Sequence, residues 1–284
     1  MRQYVPYFGY RRHSISVKNY NITYWDEGSG PPLVLVHGLG GCREYWAWVF
    51  PNLVGKFRVI ALDLPGFGDS TAPEREHLRS TNAADLLYEF VSALGLNQPI
   101  LVGHSMGGGL VLRCAVRHAN TFSGVMALSP PGFGREIDIV SRMLTLPLVG
   151  ELLFKPTHAT IFSTLKCPAT TAGVEHLVRL TYERMSREDA RLRHLTILRQ
   201  GVDITGQTLL FERAELENLT LRVKIVWGEY DTVFPAKQAV HVPELLPNAE
   251  VTLVPSGHMI LLEQPNLLSQ LIAEFASEQL AEAA

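Results

Sequence analysis

A series of short, nearly unbroken apolar runs, each closed by a polar or Gly/Pro turn and most followed by a helical period, constrains this chain more than any other feature. The runs are Leu33–Val36, Val59–Leu62, Ile100–Val102, Gly124–Leu128, Lys224–Trp227 and Val251–Val254. A strand with one face in water alternates apolar and polar residues, so runs without alternation are expected to be covered on both faces. Strands of that kind separated by helices form a mostly parallel sheet, an α/β architecture. Ahead of them, Ser14–Val17 and Ile22–Trp25 flank Lys18–Asn21 and are expected to pair as an antiparallel hairpin. Apolar stripes at helical spacing predict helices over Asn82–Leu94, Met106–His118, Ala236–Leu246 and Pro265–Ala276.

The rhythm breaks between Pro131 and Ala214, where several helical patterns occur without a clear buried strand. Residues 131–214 are therefore expected to form an inserted helical cap, and residues 1–130 with 215–284 the core. Apolar residues between Met143 and Phe162 would pack the cap onto the core or line a pocket, and a more charged helix is expected around Glu175–Leu198.

At 284 residues and 46% hydrophobic content, the chain can bury a large core. Its 25 Lys and Arg against 28 Asp and Glu leave a formal charge of -3, which offers no footprint for nucleic acid or an anionic membrane surface. Cys42, Cys114 and Cys167 are widely spaced and lack a CxxC pairing, so neither a disulfide framework nor a zinc site is expected, and a cytoplasmic location fits best. Met1–Arg12 contains no apolar signal core, and no run approaches the roughly 18 apolar residues of a spanning helix.

The chemistry concentrates at the ends of the predicted strands. Gly103-His104-Ser105-Met106-Gly107 follows the run Ile100–Val102 and opens a helix, the context that a nucleophile elbow requires. The sharp turn exposes the Ser105 hydroxyl at a helix N-terminus, where developing negative charge is favoured. His37-Gly38-Leu39-Gly40-Gly41 follows the run Leu33–Val36 and supplies a glycine loop. Acyl transfer needs two N–H donors aimed at the oxygen that becomes anionic, and these are assigned to Leu39 and Met106. Gly38 and His104 flank them and are expected to contact substrate, whereas His37 is expected to be structural.

A serine hydroxyl needs a base, and His258, in the loop after Val251–Val254, can supply it. Asp231, just past Lys224–Trp227, can hold the second ring nitrogen of that histidine. Glu229 competes with Asp231 from two residues away, but Asp231 lies deeper in the loop, ahead of the turn Thr232–Pro235.

Taken in order, His37-Gly38-Leu39-Gly40-Gly41, Asp63-Leu64-Pro65-Gly66-Phe67-Gly68-Asp69-Ser70, Gly103–Gly108, Gly228–Asp231 and Gly257-His258 resemble the α/β-hydrolase superfamily over nearly the whole chain. The resemblance implies an eight-stranded, mostly parallel sheet flanked by helices, a Ser105–His258–Asp231 triad and no metal or organic cofactor. The chain is similar to serine esterases, monoacylglycerol lipases and meta-cleavage-product C–C hydrolases; dehalogenases and epoxide hydrolases of this fold carry Asp where Ser105 stands. Leu39, in place of the glycine run of H-G-G-G esterases, points to the branch handling medium or long acyl esters. The implied partner is a small ester or lipid, with a homodimer left open. The alternatives are a C–C hydrolase, which would need a basic group such as Arg135, Arg142 or Arg184 for a substrate carboxylate, and a small-molecule receptor with a slow or vestigial triad.

Overall fold

The computed structural model describes residues 9–71, 80–165, 172–217 and 219–283. Cys167, residues 1–8 and the side chain of Phe162 lie outside the described residues. The strands are β1 (His13–Val17), β2 (Tyr20–Glu27), β3 (Pro32–Val36), β4 (Arg58–Leu62), β5 (Ile100–His104), β6 (Gly124–Leu128), β7 (Val202–Asp203), β8 (Gly206–Gln207), β9 (Arg222–Gly228) and β10 (Glu250–Val254). Eight of them form one sheet in the order β1-β2-β4-β3-β5-β6-β9-β10. β2 runs antiparallel to both β1 and β4, and the remaining pairs are parallel.

The unbroken apolar runs have a direct packing cause. Leu33, Leu35, Val102 and Met126 point into one buried cluster, while Val34, Val36, Leu101 and Val125 point into another across the sheet. Successive side chains of a strand face opposite ways, so covering both faces demands apolar residues at every position. Helices Ser80–Ala93, Met106–Arg117 and Pro265–Ala283 flank the sheet where helical periods predicted them.

Two helical expectations change. Ala236–Leu246 is a 3-10 segment, Ala236–His241, running into a short α-helix, Val242–Leu245. Pro243 has no N–H to donate back to Ala239, which prevents one continuous α-helix. The expected helix around Glu175–Leu198 is two helices, Ala172–Met185 and Glu188–Gly201. Arg187 between them is extended at ψ 135, and Glu188 and Asp189 occupy the next first turn, where the helix dipole favours acids. Residues 131–214 also carry a strand pair that the sequence pattern did not reveal, β7 with β8.

The segment after β4 is held by buried charge. Asp63 is fully buried and accepts the N–H groups of Arg43 at 2.7 Å and Asp69 at 2.8 Å, besides pairing with the Arg43 guanidinium. Arg43 also reaches Glu44 at 3.0 Å and Asp69 at 2.8 Å. Arg184, from helix Ala172–Met185, reaches Glu44 at 3.1 Å and Asp69 at 3.0 Å. This network fastens the helix Ala172–Met185 to the segments after β3 and β4.

Candidate active site

Ser105 alone makes the turn from β5 into helix Met106–Arg117, at φ 55 and ψ -124. A side chain pays steric strain in that region, so surrounding contacts must impose it. One is the Ser105 N–H, which donates to the Leu128 carbonyl at 2.8 Å. Another is Gly107, whose missing Cβ would stand 2.5 Å from the carbonyl oxygens of Val36 and His37. The helix therefore starts directly against β3, and its first N–H groups have no helical partner.

The loop after β10 brings the imidazole in. Glu263 accepts the N–H of Gly257 at 2.7 Å and that of Met259 at 3.1 Å, which fixes the backbone on both sides of His258. His258 Nε2 lies 2.9 Å from Ser105 Oγ, and Nδ1 lies 2.8 Å from Asp231 Oδ2. The other Asp231 oxygen accepts the N–H groups of Val233 at 2.8 Å and Phe234 at 2.9 Å. Burial opposes the charged carboxylate, but the His258 ring and the Phe234 N–H outweigh it, and the Asp231 carboxyl sits below its ordinary value. An ionised Asp231 must receive the proton of Nδ1, which leaves the Nε2 lone pair facing the hydroxyl. Glu229 is exposed and contributes its backbone N–H to Val254, so of the two candidate acids only Asp231 meets the ring.

Leu39 sits at the second position of a turn closed by Gly41 N–H to Gly38 O at 3.1 Å, with Gly40 at φ 74 in the place where such a turn needs a left-handed residue. The turn's hydrogen bond uses the Gly41 N–H and not that of Leu39. Leu39, Met106, Gly38, Ser105 and His258 border one cavity. His37 braces the turn from behind, its Nδ1 at 2.7 Å from Gly38 O and its Nε2 accepting Leu64 N–H at 3.0 Å. His104 borders the cavity too, but its Nε2 is occupied 2.8 Å from the His258 carbonyl. Burial lowers His37 to about 4, and burial with the nearby His258 lowers His104 to about 3, so both rings are neutral at pH 7. Each then donates to a carbonyl: Nδ1–H in His37 and Nε2–H in His104.

The cavity holds about 780 Å³ and lies between the strand ends and the helices that follow β6. Leu110, Phe154, Ile161, Met185, Leu198 and Val233 give it a mostly aliphatic wall. The arginines considered for a substrate carboxylate are elsewhere. Arg135 bonds Thr205, Arg142 bonds the Ile137 carbonyl, and Arg184 belongs to the ion network. The cavity's buried cation is instead Arg113, which the sequence reading passed over. Its position eight residues after Ser105, close to two helical turns, was the available signal. Among the described residues no group of three or more His, Cys, Asp or Glu side chains converges as a metal site, and no helix is long and apolar enough to cross a membrane.

The comparisons agree with this architecture. The dihydrolipoyllysine-residue acetyltransferase component of the acetoin cleaving system of Cupriavidus necator is 30% identical over 258 residues, 90% of this chain and 66% of that protein. The 2-hydroxy-6-oxo-6-phenylhexa-2,4-dienoate hydrolase of Burkholderia cepacia is 24% identical over 266 residues, 91% of this chain and 92% of that one. The crystal structure of a membrane phospholipase A, described as a bacterial virulence factor, superposes with a TM-score of 0.78 at 25% identity, covering 95% of this chain and 87% of its own. The family model for the alpha/beta hydrolase fold matches residues 31–265, from the start of β3 to the first residue of the last helix. With its sheet order, its elbow serine and that match in hand, the chain belongs to the α/β-hydrolase fold family.

Proposed function

We propose that this hydrolase cleaves carboxylic esters of medium or long acyl chains, with Ser105 as nucleophile, His258 as base and Asp231 as its orienting acid. The observation that carries the reading is the continuous hydrogen-bonded path from Asp231 through His258 to Ser105, ending in a mainly aliphatic cavity. Ser105 Oγ attacks the ester carbonyl as its proton passes to Nε2, and the N–H groups of Leu39 and Met106 hold the oxygen that becomes negative. The imidazolium then protonates the departing alcohol. Water, deprotonated by the same nitrogen, attacks the acyl-enzyme and returns Ser105 to its starting state.

Residues 131–214 act in this reading as a cap over the site. Ile139 and Val140, though 63% and 61% exposed, also border the cavity, as does Leu153 at 52%. An aliphatic surface running from solvent into the pocket suits an amphipathic substrate better than a fully polar one. The similarity to a phospholipase supports this, and the similarity to a dienoate hydrolase keeps C–C cleavage by the same groups as the competing outcome.

The test is a panel of p-nitrophenyl esters of graded chain length, a monoacylglycerol and a dienoate C–C substrate. Turnover should be greatest on octanoate or longer esters. Ser105→Ala should lower it by about four to six orders of magnitude with an unchanged melting temperature. Ester turnover that survives Ser105→Ala would falsify the assignment, and faster cleavage of the dienoate would transfer the reading to C–C hydrolysis.

A further inference from the structure

The described residues include three buried cations, Arg43, Lys224 and Arg113. Arg43 is enclosed by Asp63, Glu44 and Asp69, and Lys224 pairs with Glu250. Arg113 is 8% exposed, yet among the described residues no carboxylate lies within ion-pair reach of it. Its guanidinium stacks 4.1 Å over the ring of Phe211, and Nη2 donates to the Leu209 carbonyl at 3.2 Å. These are neutral partners for a group with five donors and a full charge. Burial pulls its pKa down, and the more distant Glu215 offsets only part of that. An unpaired cation is costly in such a place, and Arg113 is part of the wall of the substrate cavity.

We infer that Arg113 is a specificity-determining residue that receives an anionic group, carboxylate in type, on the substrate limb remote from the bond that is cut. Arg113 lies eight positions beyond Ser105, a helical rise of about 12 Å, so one extended substrate can span both. A planar guanidinium matches a carboxylate through two parallel hydrogen bonds. The inference rests on the reading of Ser105 as nucleophile, and the anion can stand on either the acyl or the alcohol limb.

The measurement is kcat and KM for p-nitrophenyl octanoate, for mono-p-nitrophenyl suberate, which carries a carboxylate on the acyl limb, and for 4-carboxyphenyl octanoate, which carries one on the alcohol limb. Phenyl octanoate serves as the neutral twin of the last. The wild-type protein should prefer one anionic ester over its twin. Arg113→Met should reduce that preference about ten- to a hundredfold, through KM, and Arg113→Lys should restore part of it. Melting temperatures establish that the variants fold. If neither anionic ester is preferred, or Arg113→Met lowers both members of a pair alike, the inference is overturned while turnover of neutral octanoate keeps the Ser105 reading intact. Should every ester be inert, calorimetric titration with suberate decides: tighter binding to wild type than to Arg113→Met supports the subsite, and equal or absent binding ends it.

Discussion

Two buried polar systems lie beyond the carboxyl ends of the parallel strands and end differently. In the ion network, Asp63, Arg43, Glu44, Asp69 and Arg184 pair with one another, and its members bridge the loops after β3 and β4 to the helix Ala172–Met185. In the path Asp231–His258–Ser105, each group is satisfied by the one behind it until the last, where the hydroxyl opens onto the cavity. The first system spends its charge on holding elements together. The second leaves one hydroxyl end open, and its carboxylate is fixed by backbone donors that do not compete for the ring.

That contrast predicts opposite responses to removing an acid. Asp231→Asn should lower kcat on octanoate esters by about three to four orders of magnitude, because the amide favours the wrong ring tautomer, while thermal unfolding changes little. Glu229→Gln, altering the exposed neighbour, should leave kcat near wild type; a comparable loss there would break the assignment of the acid. Asp63→Ala should do the reverse, leaving Arg43 buried without its main partner at a cost of about 3–5 kcal/mol. Calorimetry should show the melting temperature falling by roughly 2–4 °C for each kcal/mol, with kcat of the folded protein largely retained.

The smallest effect is in acid. Burial works against the charged form of Asp69, but the hydrogen bond from Arg43 and the charges of Arg184 and Arg43 prevail and hold its carboxyl at about 2, below the ordinary 3.8. A group whose pKa is depressed by folding contributes stability above its unfolded value and loses it as pH falls through the folded one. The difference in melting temperature between wild type and Asp69→Asn should therefore be constant above about pH 4 and shrink towards pH 2. Solvent screening at this part-exposed carboxylate keeps it modest. A difference that does not change between those limits would mean that the Asp69 charge adds nothing to the network.

Much of this was legible in the chain because strand residues buried on both faces must be apolar at every position, as in Leu33–Val36 and Ile100–Val102. The elbow was legible for a related reason: a turn as tight as that at Ser105, with a helix starting against β3, requires glycine at Gly107. Harder to see were features set by single local interactions, such as the missing donor of Pro243 and the extended Arg187 that divides two helices. Pairings across long separations were invisible. Nothing near Arg184 announces Glu44, and nothing in the helix Met106–Arg117 announces that Phe211 and Leu209 will meet Arg113. Composition identifies Arg135, Arg142 and Arg184 as cations of this region, but only the packing shows that Arg113 borders the cavity and that they do not.

The bond from the His104 ring to the His258 carbonyl couples two loops that are far apart in the chain. His104 is the chain neighbour of Ser105, so the loop that carries His258 and the elbow are stitched together beside the cavity. Any change that shifts one of the two loops must therefore move the other with it or break that bond.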